Sequence, residues 1–442
     1  MFRCILRFRF PVFIALSLVI NASILNATVL PRGNAPKLVF AHFMVGNTFP
    51  YNVDNWKKDM QLASSKGIDA FALNMGRDDW QPSRVADAYR AASGSNFKLF
   101  ISFDMASIPC NSDGDGNLIR QLVRQYNRHP NQLMYEGKNF VSTFGGQFCR
   151  FGTGSLNEGW HNVLKRDMPP VHFVPALFMQ PPELERLNAL DGAFSWDSAW
   201  PLGNYDINSS NDAQYQKYLK GRTYMASVSP WFFTHYSRET YNKNWIYRPD
   251  SWLYASRWEL LVKNRKNIDL VEIITWNDYG ESHYIGPIEG AQPHSESWTN
   301  GFDHRGWLDL AQYYITAFKT GNYPSIKKDR VFLWGRLYPK NANTGDPIGR
   351  PDHSEWTEDM LWGVVFLTHP SHFEMTCGGS RYSSDLPAGA SKVKMPLRDD
   401  CNVKAVVTRD KKKTVDFAPA GFHFSKNAPF YNFNAFVAAS PE

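Results

Sequence analysis

Apolar runs and amphipathic stretches alternate along most of the chain. Apolar runs cover residues 38–44, 70–75, 99–104, 140–144, 171–178, 193–197, 224–229 and 271–276. Each has the length and continuity of a strand buried on both faces. Between them, apolar positions recur at helical spacing over 54–65, 84–92, 118–127, 157–166, 182–187, 212–220 and 251–263. A last helix over 306–319 puts Ala311, Tyr314, Ile315 and Phe318 on one face and stops at Gly321. Eight β/α alternations predict an α/β fold of the (β/α)8 TIM-barrel type. A doubly wound open sheet is the second reading, but no G-x-G-x-x-G follows the first strand.

Near Pro324 the pattern changes. Short strands are predicted over 331–338, 360–368, 373–377, 403–408 and 414–417, separated by Gly, Pro and charged turns, with no good helix among them. This predicts a C-terminal β-sandwich packed on the barrel. The expected organisation is a leader over 1–27, a barrel over 28–325 and a sandwich over 326–442.

Composition sharpens this picture at three points. Aromatic residues reach 15% of the chain, with 15 Trp, 20 Tyr and 31 Phe. That exceeds what core filling needs, and the apolar faces of sugar rings are one outlet for the surplus. The charge, 48 basic against 42 acidic residues for a net +6, is dispersed. Its one cluster, Lys411-Lys412-Lys413, reads as a solvated turn, so no nucleic-acid partner is expected. At the N-terminus Arg3, Arg7 and Arg9 precede a short apolar run over 11–20, and Leu25-Asn26-Ala27 resembles a cleavage site. The run is too short for an ordinary membrane anchor. A secreted, extracellular or wall-associated protein is expected, with no membrane attachment once the leader is removed; an uncleaved signal anchor is the alternative.

Cys4 would leave with the leader. Cys110, Cys149, Cys377 and Cys401 remain, an even number in an exported chain. Three connectivities exist. Cys110–Cys149 and Cys377–Cys401 keep each bridge within one domain and are expected. Asn208-Ser209-Ser210 is the one glycosylation sequon found beyond the leader.

The working residues of a barrel sit where its strands end. Acids there are Asp104 after the third run, Asp197 after the sixth, and Asp278 and Glu281 after the eighth. Hydrolysis of a glycosidic bond needs one carboxylic acid to protonate the leaving oxygen and a second carboxylate to activate water or attack the anomeric carbon. Asp278 and Glu281, in an aromatic-rich turn, can both point into the mouth, and Asp104 can complete the set or tune a neighbour. Asp197 reads as a helix cap or a substrate hydrogen bond rather than a catalyst. Asp78 and Asp79 read as surface loop residues, and Glu272 as part of a salt bridge at the barrel's other end. His42, His235 and His283 could converge on a metal. No H-x-x-x-H or H-E-x-x-H pair lies near a strand end, so neither a catalytic metal nor a cofactor is expected. P-loop and G-x-S-x-G motifs are absent; Gly152-Thr153-Gly154-Ser155 does not match the latter.

The segment Ile273-Ile274-Thr275-Trp276-Asn277-Asp278-Tyr279-Gly280-Glu281-Ser282-His283-Tyr284 resembles the signature of fungal glycoside hydrolase family 71, the α-1,3-glucanases or mutanases. The segments Ala41-His42-Phe43-Met44-Val45-Gly46-Asn47, Gly67-Ile68-Asp69-Ala70-Phe71-Ala72-Leu73-Asn74, Ser102-Phe103-Asp104-Met105-Ala106 and Val228-Ser229-Pro230-Trp231-Phe232-Phe233 occur in the family's order. The resemblance runs from about Pro36 to the C-terminus. It implies a secreted endo-hydrolase of α-1,3-glucan that acts with inversion, for remodelling the producer's own wall or digesting another fungus's, and expected as a monomer. It implies Asp278 as the base that activates water and Glu281 as the proton donor. Asp104 would orient water or substrate, or share the base role. Trp276, Tyr279, Tyr284, Trp231 and Trp196 are the candidates to stack on glucose. His42, Asn74, Asn277 and His283, with Asp197, are the candidates to hydrogen-bond it. Inversion would set the working carboxyls roughly 6.5–9.5 Å apart. A spacing near 5 Å would challenge the pair or the stereochemistry, and would promote Asp104. The competing reading from another class is a secreted wall-binding protein on an inactive barrel; a glycosidase of different linkage specificity is a third.

Overall fold

The structure is a computed structural model that describes residues 36–248 and 251–442. The expected leader lies outside the described residues. Eight parallel strands follow one another: β1 Leu38–Met44, β2 Ala70–Met75, β3 Lys98–Asp104, β4 Lys138–Phe144, β5 Val171–Phe173, β6 Gly192–Ser195, β7 Thr223–Val228 and β8 Leu270–Ile273. The helices between and after them are α1 Val53–Ser65, α2 Gln81–Ala92, α3 Asn117–Tyr126, α4 Leu156–Leu164, α5 Pro181–Leu184, α6 Ser210–Leu219, α7 Leu253–Lys263 and α8 Arg305–Thr320. The sheet order is β5-β4-β3-β2-β1-β8-β7-β6. The chain therefore curls until the last strand lies beside the first, with Phe40 opposite Glu272 and Ala41 opposite Ile273. The end strands also meet: Asp191 N–H donates to the Phe173 carbonyl and Phe194 N–H to the Pro175 carbonyl, both at 2.9 Å.

Burial on both faces explains the long apolar runs. All six residues of β2 are buried. One face packs under the helices, where Trp56, Phe71, Trp258 and Trp307 join a large apolar cluster. The other face fills the interior with Phe40, Ala72, Phe100, Phe140, Phe194, Met225 and Leu270, among others. Gly321 ends α8 in the left-handed conformation at φ +88°, as the sequence predicts.

Three parallel strands stop short of expectation by two residues or more, among them the run over 193–197, which ends at Ser195. The run over 171–178 is a strand only to Phe173. The run over 271–276 is a strand only to Ile273: the Ile274 N–H still reaches the Val228 carbonyl of β7, but Thr275 turns to the segment that follows. Trp276 N–H donates to the His42 carbonyl, Thr275 N–H to that of His283, and Ile285 N–H to that of Thr275. The segment after β8 thus folds back on residues 283–286.

Two antiparallel sheets follow. One has the order β13-β10-β9-β17, from Gly389–Pro396, Met360–Leu367, Arg330–Gly335 and Phe436–Ala439. The other is β12-β11-β14-β15, from Ser380–Leu386, Ser371–Cys377, Cys401–Arg409 and Lys412–Phe417, with β16 His423–Phe424 beside β14. Their facing sides share one apolar cluster that includes Val331, Leu333, Val365, Phe373, Met375, Val393 and Ala405. The sequence pattern misses β12 and β13, whose alternating polar residues resemble turns, and β16 and β17, which are only two and four residues long. The disulfides are Cys110–Cys149 and Cys377–Cys401, as expected.

Candidate active site

The segment after β8 brings the candidate acids to the C-terminal ends of the parallel strands. A clasp at its start fixes its path. Asn277 accepts the Met44 N–H at 2.7 Å and returns a hydrogen bond to the Met44 carbonyl at 3.1 Å, while Asn47 holds the Asn277 carbonyl. Asn277, expected to bind sugar, instead ties β8 to β1. Thr275 Oγ1 accepts the Asp278 N–H at 2.9 Å and lies 3.1 Å from His283 Nδ1. The other ring nitrogen of His283, Nε2, lies 3.0 Å from Glu281 Oε2. Gly280 is required in this turn: a Cβ there would sit 2.0 Å from the Tyr236 hydroxyl, which packs over it.

Asp278, Glu281 and His283 each place one polar atom within 4.8 Å of the other two. It is the one trio of this kind among the described residues, and it is spaced to hold a metal ion. Positive charge is already supplied there by Lys243, whose ammonium is 3.2 Å from Glu281 Oε1. The two carboxyls have opposite environments. For Asp278, half-buried, burial and then the neighbouring Glu281 raise the pKa, against the opposing charges of His283 and Lys243. For Glu281, burial also works to raise it, but the hydrogen bond and charge of His283 together with Lys243 outweigh burial and hold it below the usual carboxylate range. Lys243 is held above the usual lysine range: burial opposes its charge, but Glu281, Asp278 and Asp104 outweigh it.

Asp104, at the end of β3, is raised chiefly by burial, although the Ala106 N–H and Ser107 stabilise its charge. It shares the field of His42 and Lys243 but does not join the close trio. His42 Nδ1 lies 2.7 Å from Glu272 Oε1, both buried. Glu272 thus supports the mouth from below rather than bridging at the far end. Asn74, next to last in β2, has its side-chain amide nitrogen buried and without a hydrogen-bond partner.

The aromatic residues divide into two groups. Trp276, Tyr279, Tyr284 and Trp231 are fully buried. Trp276 packs on Phe71, Tyr279 donates to the Pro287 carbonyl, Tyr284 stacks on His304, and Trp231 donates to the Phe433 carbonyl. None offers a ring face to a sugar. Trp196 does remain at the mouth, half-buried, with its ring centroid 4.9 Å from that of His42. It continues through Phe144 (4.8 Å) to Phe178 (5.0 Å), which is partly exposed. Asp197 beside it is half-buried and raised by burial. The sequence pattern misses Lys243, Tyr236, Tyr247, Phe232 and Trp200. Phe232 and Trp200 lie with ring centroids 5.7 Å from that of His283, and Tyr247 packs on both of them. The signal missed was Trp245-Ile246-Tyr247, a short alternation too brief to score as a strand.

Paired carboxyls of opposite proton affinity at the ends of parallel strands, beside an aromatic ledge, define the site of a carbohydrate-cleaving α/β enzyme. Residues 35–442 match the family described as Glycosyl hydrolase family 71, and the chain belongs to that family. It is 39% identical over 433 residues to a glucan endo-1,3-alpha-glucosidase of Schizosaccharomyces pombe, covering 96% of this chain and 99% of that one. It is 37% identical to a mutanase of Penicillium rubens, over 91% of this chain and 89% of the other. An ascus wall endo-1,3-alpha-glucanase of Schizosaccharomyces pombe is 30% identical, over 80% and 83%. Among solved structures, a GH99 endo-alpha-mannosidase of Bacteroides thetaiotaomicron superposes with a TM-score of 0.51 at 12% identity, over 65% of this chain and 99% of that one. That likeness concerns the fold. No helix among the described residues is long and apolar enough to cross a membrane.

Proposed function

We propose that the chain is a secreted endo-acting α-1,3-glucanase of the fungal wall, built on a closed (β/α)8 barrel of residues 28–325 with a C-terminal β-sandwich of residues 326–442. The names of its relatives and its family support the substrate. The bonds between the end strands β5 and β6 support closure.

The observation that carries the mechanism is the close trio Asp278, Glu281 and His283 with Lys243 beside it. Two carboxyls this close hold one proton between them. Lys243 and His283 favour the charge on Glu281, so the proton rests on Asp278. This reverses the order expected from the sequence: Asp278 is the proton donor to the leaving glycosidic oxygen, and Glu281 is the fixed charge that keeps it protonated. An oxygen of Asp278 lies within 4.8 Å of one of Glu281, an approach that suits a shared proton rather than a water held between the two. With inversion, the water is therefore activated from elsewhere, and Asp104 is the carboxylate we assign to it. His42, Asn74, Trp196 and Asp197 contact the sugar, while His283, its ring nitrogens held by Thr275 and Glu281, positions Glu281.

The deciding experiment is the anomeric configuration of the first product released from a soluble α-1,3-glucan, read by proton NMR, for the parent and Asp104→Asn. An initial β-anomer, lost in Asp104→Asn, supports the assignment. An initial α-anomer would make Glu281 a nucleophile, as the spacing of the close pair alone suggests. Binding without release of any product would favour a wall-binding protein.

A further inference from the structure

Lys243 reaches the acids from a hairpin whose strands, Phe233–His235 and Asn244–Ile246, pair antiparallel with His235 opposite Asn244. The hairpin follows β7, yet much of what holds it comes from beyond residue 340. His235 Nε2 lies 2.8 Å from Asp346 Oδ2, and its Nδ1 lies 2.8 Å from Asn244 Oδ1. Asn244 donates to the Gly349 carbonyl at 3.1 Å. Its carbonyl accepts the Asp352 N–H, and the Asp352 carbonyl accepts the Ile246 N–H. Asp346 is anchored in turn by the N–H groups of Ile348 and Tyr431. The side chains of His235 and Asp346 are 2% and 3% exposed, so water does not compete for this link. At the hairpin's tip the Tyr236 N–H bonds to the Lys243 carbonyl, which sets both side chains over the acids at once.

We propose that the loop over 340–352 is a working part of the active site: through Asp346 it holds the hairpin that fixes the Lys243 ammonium against the Glu281 carboxylate. The proposal rests on Asp278 and Glu281 being the working acids. Asp346 touches no substrate and is a positioning residue. The groups facing Glu281 are Lys243, Tyr236 and Tyr247 from the hairpin and its continuation, and Asp278 and His283 from its own segment; Asp104 faces Lys243. Removing or loosening a cation raises the proton affinity of every carboxyl it faces, so both limbs of the pH profile move to higher pH.

The test compares Asp346→Asn, Lys243→Met, their double variant and Glu281→Gln on a soluble α-1,3-linked glucooligosaccharide, with kcat and KM measured across pH. Asp346→Asn is expected to lower kcat about tenfold with KM within about twofold, and to move both limbs upward. Added to Lys243→Met, it should cost less than about a further twofold, because the two changes disable one device. Wild-type kcat and limbs in Asp346→Asn, or effects that multiply with Lys243→Met, would overturn the proposal. Should Asp346→Asn fail to fold, His235→Ala cuts the same link from the hairpin side, and the same two outcomes decide. A Glu281→Gln variant that remains active would instead remove the site reading beneath the proposal, while an inactive one beside an unchanged Asp346→Asn would remove only the proposal.

Discussion

The parallel sheet and the antiparallel sheets use the same amino acids under opposite rules. β2 is buried along its whole length, because interior side chains cover one face and helices the other. β11 alternates, with Phe373, Met375 and Cys377 inward and His372 out in water. A strand sealed on both faces has no side-chain position free for chemistry, so polar work moves to its end, where Asp104, Asn74 and the 278–283 turn lie. A strand with a wet face can tolerate charge along its length. The two regions nevertheless share a core: Trp334, Trp362, Phe366 and Phe433 join the cluster that holds Trp231, Trp258 and Trp307.

The largest expected effect tests whether carboxyls differ by region. Asp278→Asn and Glu281→Gln should each lower kcat by about 10²–10⁴-fold, measured as oligosaccharide release from insoluble α-1,3-glucan. Asp385→Asn, on an exposed carboxyl paired with His372, should change it by less than about twofold. Equal losses at all three positions would erase the distinction. Next, Phe71→Ala and Phe373→Ala each remove a fully buried ring and should cost about 3–5 kcal/mol. Calorimetry should show one cooperative transition for the parent and for each variant, since the regions share apolar surface. Two separated transitions would mean that the junction contributes little.

The pH profile sharpens the contrast within the site. Burial, then Glu281, raises Asp278, and burial raises Asp104. Activity should fall at alkaline pH as the pair loses its proton and at acid pH as Asp104 gains one, while Glu281 stays charged between. The optimum of kcat/KM therefore lies on the acid side of neutral, and a plateau extending well above neutrality would contradict the proton on Asp278. A small effect is expected in the loop after β4. Phe148, 85% exposed, should be replaceable by Ala with an unchanged Tm and a KM on polymer raised only a few-fold. A large loss of kcat there would place chemistry on the wrong side of the mouth.

Much of the first region was legible because continuous burial writes itself as continuous apolar sequence; β1 and β2 fall where the runs lie. The gathering of Asp278 and Glu281 was legible too, since both follow such a run closely. The direction of the aromatics was not. Whether Trp276 or Tyr284 faces sugar depends on the path after Ile273, and that path is set by bonds to His42 and Met44 from the other end of the region. Lys243 was invisible for a related reason. It lies in a stretch with little periodicity of its own, held by residues more than a hundred positions later. Short polar strands such as β12 were missed because alternation with serine and aspartate looks like a turn.

The clasp between Asn277 and Met44 joins positions 233 apart, and Trp231 waits for a carbonyl 202 residues downstream. On a ribosome these partners emerge far apart in time. The first strand must stay unpaired on one side until the eighth arrives, and the hairpin that carries Lys243 is not secured until the loop beyond residue 340 has been made. A nascent chain therefore holds its candidate acids before the residues that position them, and the region behind the site is complete only once the segment around Phe433 has been made.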